Sequence, residues 1–232
     1  MPIISGLHHS DPQVQGQDQG VTRWFKTADN KFTGTSGNDQ IHGRGGNDKL
    51  HGSDGDDLIT GGHGHDKLYG DNGNDKLFGG DGKDKLFGGA GNDSLDGGGG
   101  RDKLVGGSGD DLLMGGGAKD TYVYQDTPGS GDLSVGGHDT IVDSGFNWLV
   151  LPQTALDQLT IGGITLSQVG KHQNLALASS INGENSIALA GNTLEIDLNH
   201  DGIFTAENDF QVSMVGVQSM TYHGHHHIFS FT

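Results

Sequence analysis

The stretch that decides the fold is residues 61–89, GGHGHDKLYGDNGNDKLFGGDGKDKLFGG. Glycine and charged side chains fill it, and one position in nine carries the large apolar residue a core needs. It nevertheless keeps a register: Gly61, Gly70, Gly79 and Gly88 are nine apart, and so are Asp66, Asp75 and Asp84, and Leu68, Leu77 and Leu86. Outward from this stretch the same frame runs from Gly34 to Val123 as ten nonapeptides. Position 1 is Gly in all ten, and position 4 is Gly in nine, with Ala118 the exception. Position 6 is always Asp: Asp39, Asp48, Asp57, Asp66, Asp75, Asp84, Asp93, Asp102, Asp111 and Asp120. Position 8 is always large and apolar, from Ile41 to Tyr122. Merely biased composition does not hold register over ninety residues, so this is an array of repeated structural units.

The chemistry of the repeat assigns its parts. The glycine-rich first six residues reach positive φ and form a tight turn. The last three form a short strand whose middle residue points to one side and its neighbours to the other. Two strands and two turns close an 18-residue coil, and coils stack about 4.8 Å apart. Position 8 then fills a thin interior. The same stacking sets Asp beside Asp at about 5 Å, where each pair repels by about 3 kcal/mol at an effective dielectric near 20. One buried side chain per nine ordered residues does not offset this, so the array by itself is expected to be disordered.

A hard cation reverses the sign. Turn carbonyls and carboxylates are oxygen ligands, and six to eight of them in a flexible cage suit Ca²⁺ better than Mg²⁺, which holds its water and demands a stricter octahedron. Zn²⁺ prefers Cys or His; the chain has no Cys, and His occurs in the repeat turns only at His63 and His65. Odd and even turns stack on opposite sides, and five turns leave four gaps on each, so up to about eight Ca²⁺ ions are expected. With affinities of about 10⁻⁴–10⁻³ M, typical of extracellular modules, folding becomes a calcium switch.

The rest of the composition agrees. Of 232 residues only 31% are apolar and 44 are Gly, too lean for a conventional core. The net charge of −17 favours cations and argues against nucleic acid and anionic membranes as partners. No apolar run reaches the length of a membrane span, so no membrane insertion is expected. The opening MPIISGLHHSDPQVQGQDQG has neither a basic start nor an apolar run, unlike a cleavable secretory leader. Three regions are expected: a linker or tail over 1–33, which Trp24–Phe25 docks onto the adjoining repeats, a parallel β-roll over 34–123, and an antiparallel β cap over 124–232, where alternating runs such as TLEIDLN and DFQVSMVGV appear.

The nonapeptides resemble the GGxGxDxUx repeats of RTX (hemolysin-type) proteins, over about 90 of the 232 residues. The resemblance implies an all-β fold, a right-handed parallel β-roll followed by an antiparallel region. It implies Ca²⁺ held by the ten position-6 aspartates and by turn carbonyls, with Gly62, Gly64, Gly80, Gly82, Gly98 and Gly100 as candidate donors. Ala118 departs from the pattern at the site of Asp120. EIDLNHDGIFTAENDFQVSMVGV resembles the terminal strands of serralysin-type protease and mannuronan epimerase RTX domains. Such regions cap the roll and carry an uncleaved signal for an ABC-type (type I) exporter, which implies a secreted, extracellular protein that folds on Ca²⁺ after export.

Other features carry weaker signals. Asp197, Asn199 and Asp201 before Gly202 copy the start of an EF-hand loop and are a candidate extra Ca²⁺ site, but Asn208 stands where the twelfth-position Glu belongs, and a plain β-turn is the ordinary reading. His223, His225, His226 and His227 cluster near the end and read as an exposed polar terminus, and Asp11–Pro12 reads as a turn. HExxH, GxSxG and the P-loop motif are absent, and the carboxylates are periodic, so no enzyme is expected. Position 7 is Lys49, Lys67, Lys85 and Lys103 in alternate repeats, beside Tyr69 and Phe87 at position 9. A lysine ladder flanked by rings is a candidate face for a polyanionic, alginate-like sugar; its ordinary role is to keep an exposed sheet soluble.

Overall fold

The structure is a computed structural model. It describes residues 20–124, 139–142, 147–151, 160–161, 164–165, 174–176, 187–190, 193–196, 210–215, 217, 220–223 and 228–231. Among these residues all regular structure is strand. In chain order the strands are β1 (Thr22–Trp24), β2 (Lys31–Thr33), β3 (Gln40–Gly45), β4 (Lys49–Asp54), β5 (Leu58–Gly64), β6 (Lys67–Asn72), β7 (Lys76–Gly82), β8 (Lys85–Ala90), β9 (Ser94–Gly100), β10 (Lys103–Ser108), β11 (Leu112–Met114) and β12 (Thr121–Val123). There follow β13 (Asp139–Val142), β14 (Asn147–Val150), β15 (Thr160–Ile161), β16 (Ile164–Thr165), β17 (Asn174–Ala176), β18 (Ile187–Ala190), β19 (Thr193–Ile196), β20 (Phe210–Val215), β21 (Met220–His223) and β22 (Ile228–Phe231).

Odd strands stack in one sheet in the order β1-β3-β5-β7-β9-β11-β13, and even strands in a second, from β2 to β14. All of these pairings are parallel, and each advances the register by 18 residues within the repeats, as in Lys49↔Lys67 and Leu50↔Leu68. Position 8 fills the space between the sheets: Ile41, Leu50, Ile59, Leu68, Leu77, Leu86, Leu95, Leu104 and Tyr122 are fully buried. The result is a parallel β-solenoid. At its C-terminal end β20 joins the first sheet parallel to β13, and β19 and β18 follow antiparallel. In the second sheet β22, β21 and β17 follow β14, all antiparallel. The all-β roll with antiparallel strands at its end therefore stands as expected.

The roll is longer than the ten-repeat frame. Thr22–Trp24 and Lys31–Thr33, in the stretch assigned to a tail, pair in parallel with β3 and β4 and supply the first coil. Trp24 stacks on His42 with ring centroids 3.8 Å apart, and Phe25 meets Phe32 edge to face. At the other end β13 and β14, in the region expected to be antiparallel, continue the parallel stacking. Their backbones follow β11 and β12 because Asp139-Thr-Ile-Val and Asn147-Trp-Leu-Val repeat positions 6 to 9, with Ile141 and Leu149 fully buried.

Candidate metal centre

Each position-6 aspartate sits where the turn enters its strand, and all ten are buried, none more than 3% exposed. Both oxygens have defined surroundings. One oxygen, Oδ1, accepts the N–H of the position-6 residue one coil earlier. On the odd side Asp39 donates to Asp57 at 2.7 Å, Asp57 to Asp75 at 2.8 Å, Asp75 to Asp93 at 2.8 Å and Asp93 to Asp111 at 2.9 Å. On the even side Asp48 donates to Asp66, Asp66 to Asp84, Asp84 to Asp102 and Asp102 to Asp120, at 2.7–2.9 Å. The ladders are closed by residues outside the repeat frame: Asp111 N–H donates to Asp139 and Asp120 N–H to Asn147, while Val21 and Asn30 donate to Asp39 and Asp48.

The other oxygen is the informative one. Oδ2 of Asp48, Asp57, Asp66, Asp75, Asp84, Asp93, Asp102 and Asp111 is buried and meets no hydrogen-bond donor. It rests on the Cα of the position-1 glycine of its own repeat, where, for all but Asp111, the position-1 carbonyl oxygen of the next coil also arrives. A Cβ at Gly70 would collide with Asp75 Oδ2 and lie 2.6 Å from the Gly88 oxygen; Gly43, Gly52, Gly61, Gly79, Gly88 and Gly97 repeat this pairing. Position 1 is glycine because carboxylate and carbonyl already fill its side-chain space.

Buried carboxylates with one oxygen left without a donor resist ionisation. Burial is the leading cause in every case, partly offset by the N–H donor and reinforced by neighbouring carboxylates. It raises Asp66, Asp75, Asp84 and Asp102 to about 6 and Asp57 and Asp93 to about 7. Asp111, which also faces the charge of Asp139, rises to about 8, and Asp48 shifts the same way. A column of acids held above the usual carboxylate range, seven of the eight with a carbonyl oxygen crowding the same glycine, fits an oxygen-seeking divalent cation. Among the described residues no three His, Asp or Glu side chains gather around one point, so an ion here must draw on backbone carbonyls as well.

The glycine carbonyls named from sequence form columns of their own. The carbonyl oxygens of Gly62, Gly64, Gly80, Gly82 and Gly98 each lie against the Cα of the same-position residue one coil on, at Gly80, Gly82, Gly98, Gly100 and Gly116. Gly98 O also accepts the Gly117 N–H at 2.7 Å, and Gly100 N–H donates to Gly117 O at 3.1 Å. The position-1 carbonyls, absent from the sequence reading, are the ones that share the glycine's side-chain space with Oδ2. Their signal was the invariance of position 1, read only as turn chemistry. Two aspartates depart from the pattern. Asp39 Oδ2 accepts the N–H of Thr35 at 2.6 Å, so its own turn satisfies it. Asp139, also missed, accepts the Tyr124 hydroxyl at 2.7 Å. Ala118 keeps the turn despite its Cβ, with φ of 82°. Asp197, Asn199, Asp201 and the His225–His227 cluster lie outside the described residues, as does the His223 side chain.

The lysine face forms as the repeat frame requires. Lys49, Lys67, Lys85 and Lys103 are in register on the even sheet, and Lys31 extends the ladder by one. Beside it His51 stacks on Tyr69 at 4.2 Å and Tyr69 on Phe87 at 4.8 Å, with nearly parallel rings. Lys49 Nζ lies 5.4 Å from the Tyr69 ring centre and Lys103 Nζ 5.9 Å from that of Phe87.

A family model for the RTX calcium-binding nonapeptide repeat matches in overlapping sets of four copies at residues 33–68, 42–77, 60–95, 69–104 and 96–123. Residues 33–123 are RTX calcium-binding nonapeptide repeats. A comparison with the curated proteins finds no match.

Proposed function

We propose that this chain is a calcium-dependent folding module of a secreted protein. Its RTX segment stays unfolded where free Ca²⁺ is scarce and folds outside the cell, after export through an ABC-type I channel that reads a signal in the region after residue 124. Its role is to bind Ca²⁺, fold and stabilise what it is joined to, without catalysis. The observation that carries this reading is the buried Oδ2 column: eight carboxylate oxygens without donors, seven of them beside carbonyl oxygens, in a segment that matches RTX repeats. Bound Ca²⁺ would supply the positive charge and the coordination these oxygens lack, and Asp48 to Asp111 with the position-1 carbonyls would hold it. The test is circular dichroism of the full chain during Ca²⁺ titration, with Mg²⁺ as control. A cooperative coil-to-β transition for Ca²⁺ alone is expected; native β signal in chelator at neutral pH would overturn the reading.

The lysine ladder and its stacked rings favour a second role, retention of a polyanionic polysaccharide along the even sheet. Cations about 4.8 Å apart suit a linear polymer with one negative charge per sugar. Replacing Lys49, Lys67, Lys85 and Lys103 by Ser should abolish retention on an alginate column in Ca²⁺ buffer; equal retention of variant and parent would end this reading.

A further inference from the structure

The two turn edges of the roll are built alike but charged differently. Leaving aside the position-6 aspartates, the odd edge carries Asp54, Asp56, Asp71 and Asp110 and no Lys or Arg, a formal charge of −4. The even edge, from Arg44 to Lys119, carries Arg44, Lys83, Arg101 and Lys119 against Asp81 alone, or four minus one, +3. Ten of the thirteen Lys and Arg residues belong to even repeats once Lys26 and Lys31 of the first coil are included.

The difference is sharpest at position 5, the residue before each buried Asp. On the odd edge its side chains make an unbroken column of oxygen acceptors. Asp56 N–H donates to Asn38, Asn74 to Asp56, Asn92 to Asn74 and Asp110 to Asn92, at 2.8–2.9 Å. This column runs antiparallel in sense to the position-6 ladder, since here the later coil donates to the earlier one. On the even edge the same column starts with Asn47 to Asp29 and His65 to Asn47, and ends where Lys83 N–H donates to His65 Nδ1. Beyond it stand Lys83 and Arg101, each one peptide bond from an aspartate of the Oδ2 column, Asp84 and Asp102, and Lys119 beside the buried Asp120. A side-chain cation on the residue next to a ligand acts within a Debye length, about 10 Å, and opposes a divalent ion.

We propose that the two edges are two classes of Ca²⁺ site. The odd-edge set at Asp57, Asp75, Asp93 and Asp111 is tight. The even-edge set at Asp66, Asp84 and Asp102 is weak, because Lys83 and Arg101 occupy the positions that Asn and Asp occupy on the odd edge. The roll thus fills asymmetrically, odd edge first, and its even edge responds to Ca²⁺ in a higher concentration range. This rests on the calcium reading above.

The test is isothermal titration of the full chain with Ca²⁺, for the parent, for Asp75→Asn, for Asp84→Asn, and for the double variant Lys83→Asn/Arg101→Asn, which copies the odd edge. Two classes separated by about tenfold or more in Kd are expected in the parent. Asp75→Asn should remove ions from the tight class and Asp84→Asn from the weak one. The double variant should tighten the weak class by about tenfold and leave the tight class within about twofold. A single class that both Asp variants reduce equally, with the double variant unchanged, would overturn the proposal while leaving the calcium reading intact. No Ca²⁺ binding by the parent would instead remove the calcium reading itself.

Discussion

Asp75 shows how one side chain serves two ends. Its Oδ1 takes the Asp57 N–H and so belongs to the protein, while its Oδ2 takes no donor and so belongs to a ligand. The glycine five residues before it is as constrained as the acid. Gly70→Ala would drive a Cβ into Asp75 Oδ2 and to 2.6 Å from the Gly88 carbonyl oxygen, and neither has room to retreat in a stacked coil. Gly99, by contrast, is exposed and meets nothing nearer than Asp81 Oδ1 at 3.4 Å. Gly70→Ala should therefore cost about 2–4 kcal/mol in Ca²⁺-loaded urea unfolding, and Gly99→Ala less than about 0.5 kcal/mol. Equal losses would mean that position 1 is glycine for conformational freedom and not for the space its missing side chain leaves. At this scale the sequence was half legible. The invariant Asp announced a ligand, but which carbonyl it faces depends on how coils stack, and no single repeat encodes that.

The strands are where the sequence spoke most clearly and also where it stopped short. Position 8 gave the inward face of β3 to β12 without error, because a period of nine with one large apolar residue fits few other shapes. It did not show β1, β2, β13 and β14, because none keeps the whole frame: position 8 of β1 is Arg23, and position 1 is Phe25 before β2, Ser134 before β13 and Val142 before β14. Val21 and Asn30 stand in place of Asp at one end, and Asn147 at the other. At the C-terminal end the requirement is an acceptor for the last buried N–H of each ladder, which Asp139 meets with a carboxylate and Asn147 with a neutral amide. Asn147 is fully buried, and its Oδ1 takes the Asp120 N–H at 2.6 Å. Asn147→Ala leaves that donor stranded and should destabilise the loaded roll by about 1–3 kcal/mol. Hydrogen exchange should report faster exchange at the Asp120 amide and through β12 and β14, with the centre of the roll unchanged. Protection lost uniformly along the roll would show that Asn147 holds the fold globally and not the end of one ladder.

Over the whole molecule the buried acids make stability depend on pH in a direction opposite to that of an ordinary ion-paired protein. Their folded-state values lie at about 6 to 8, above the ordinary 3.8. Such groups favour the folded state while protonated. The benefit is complete below about pH 3.8 and is lost as pH rises through about 6 to 8. Protons and Ca²⁺ thus do the same work on the same oxygens, so each should substitute for the other. In chelator the β signal should be weak at pH 8 and grow as pH falls towards 5. In Ca²⁺ titrations the midpoint should move to higher Ca²⁺ as pH falls from 8 to 6, since protons must then be displaced. The net charge of −17 offers a competing account, because any acid relieves general repulsion in so acidic a chain. Salt separates the two: about 0.5 M KCl screens exposed charges and hardly touches buried ones. If KCl at pH 8 restores as much β signal in chelator as pH 5 does, the surface charge is responsible and the buried column is not. If only acid restores it, the eight aspartates from Asp48 to Asp111 keep the roll open until something positive reaches them.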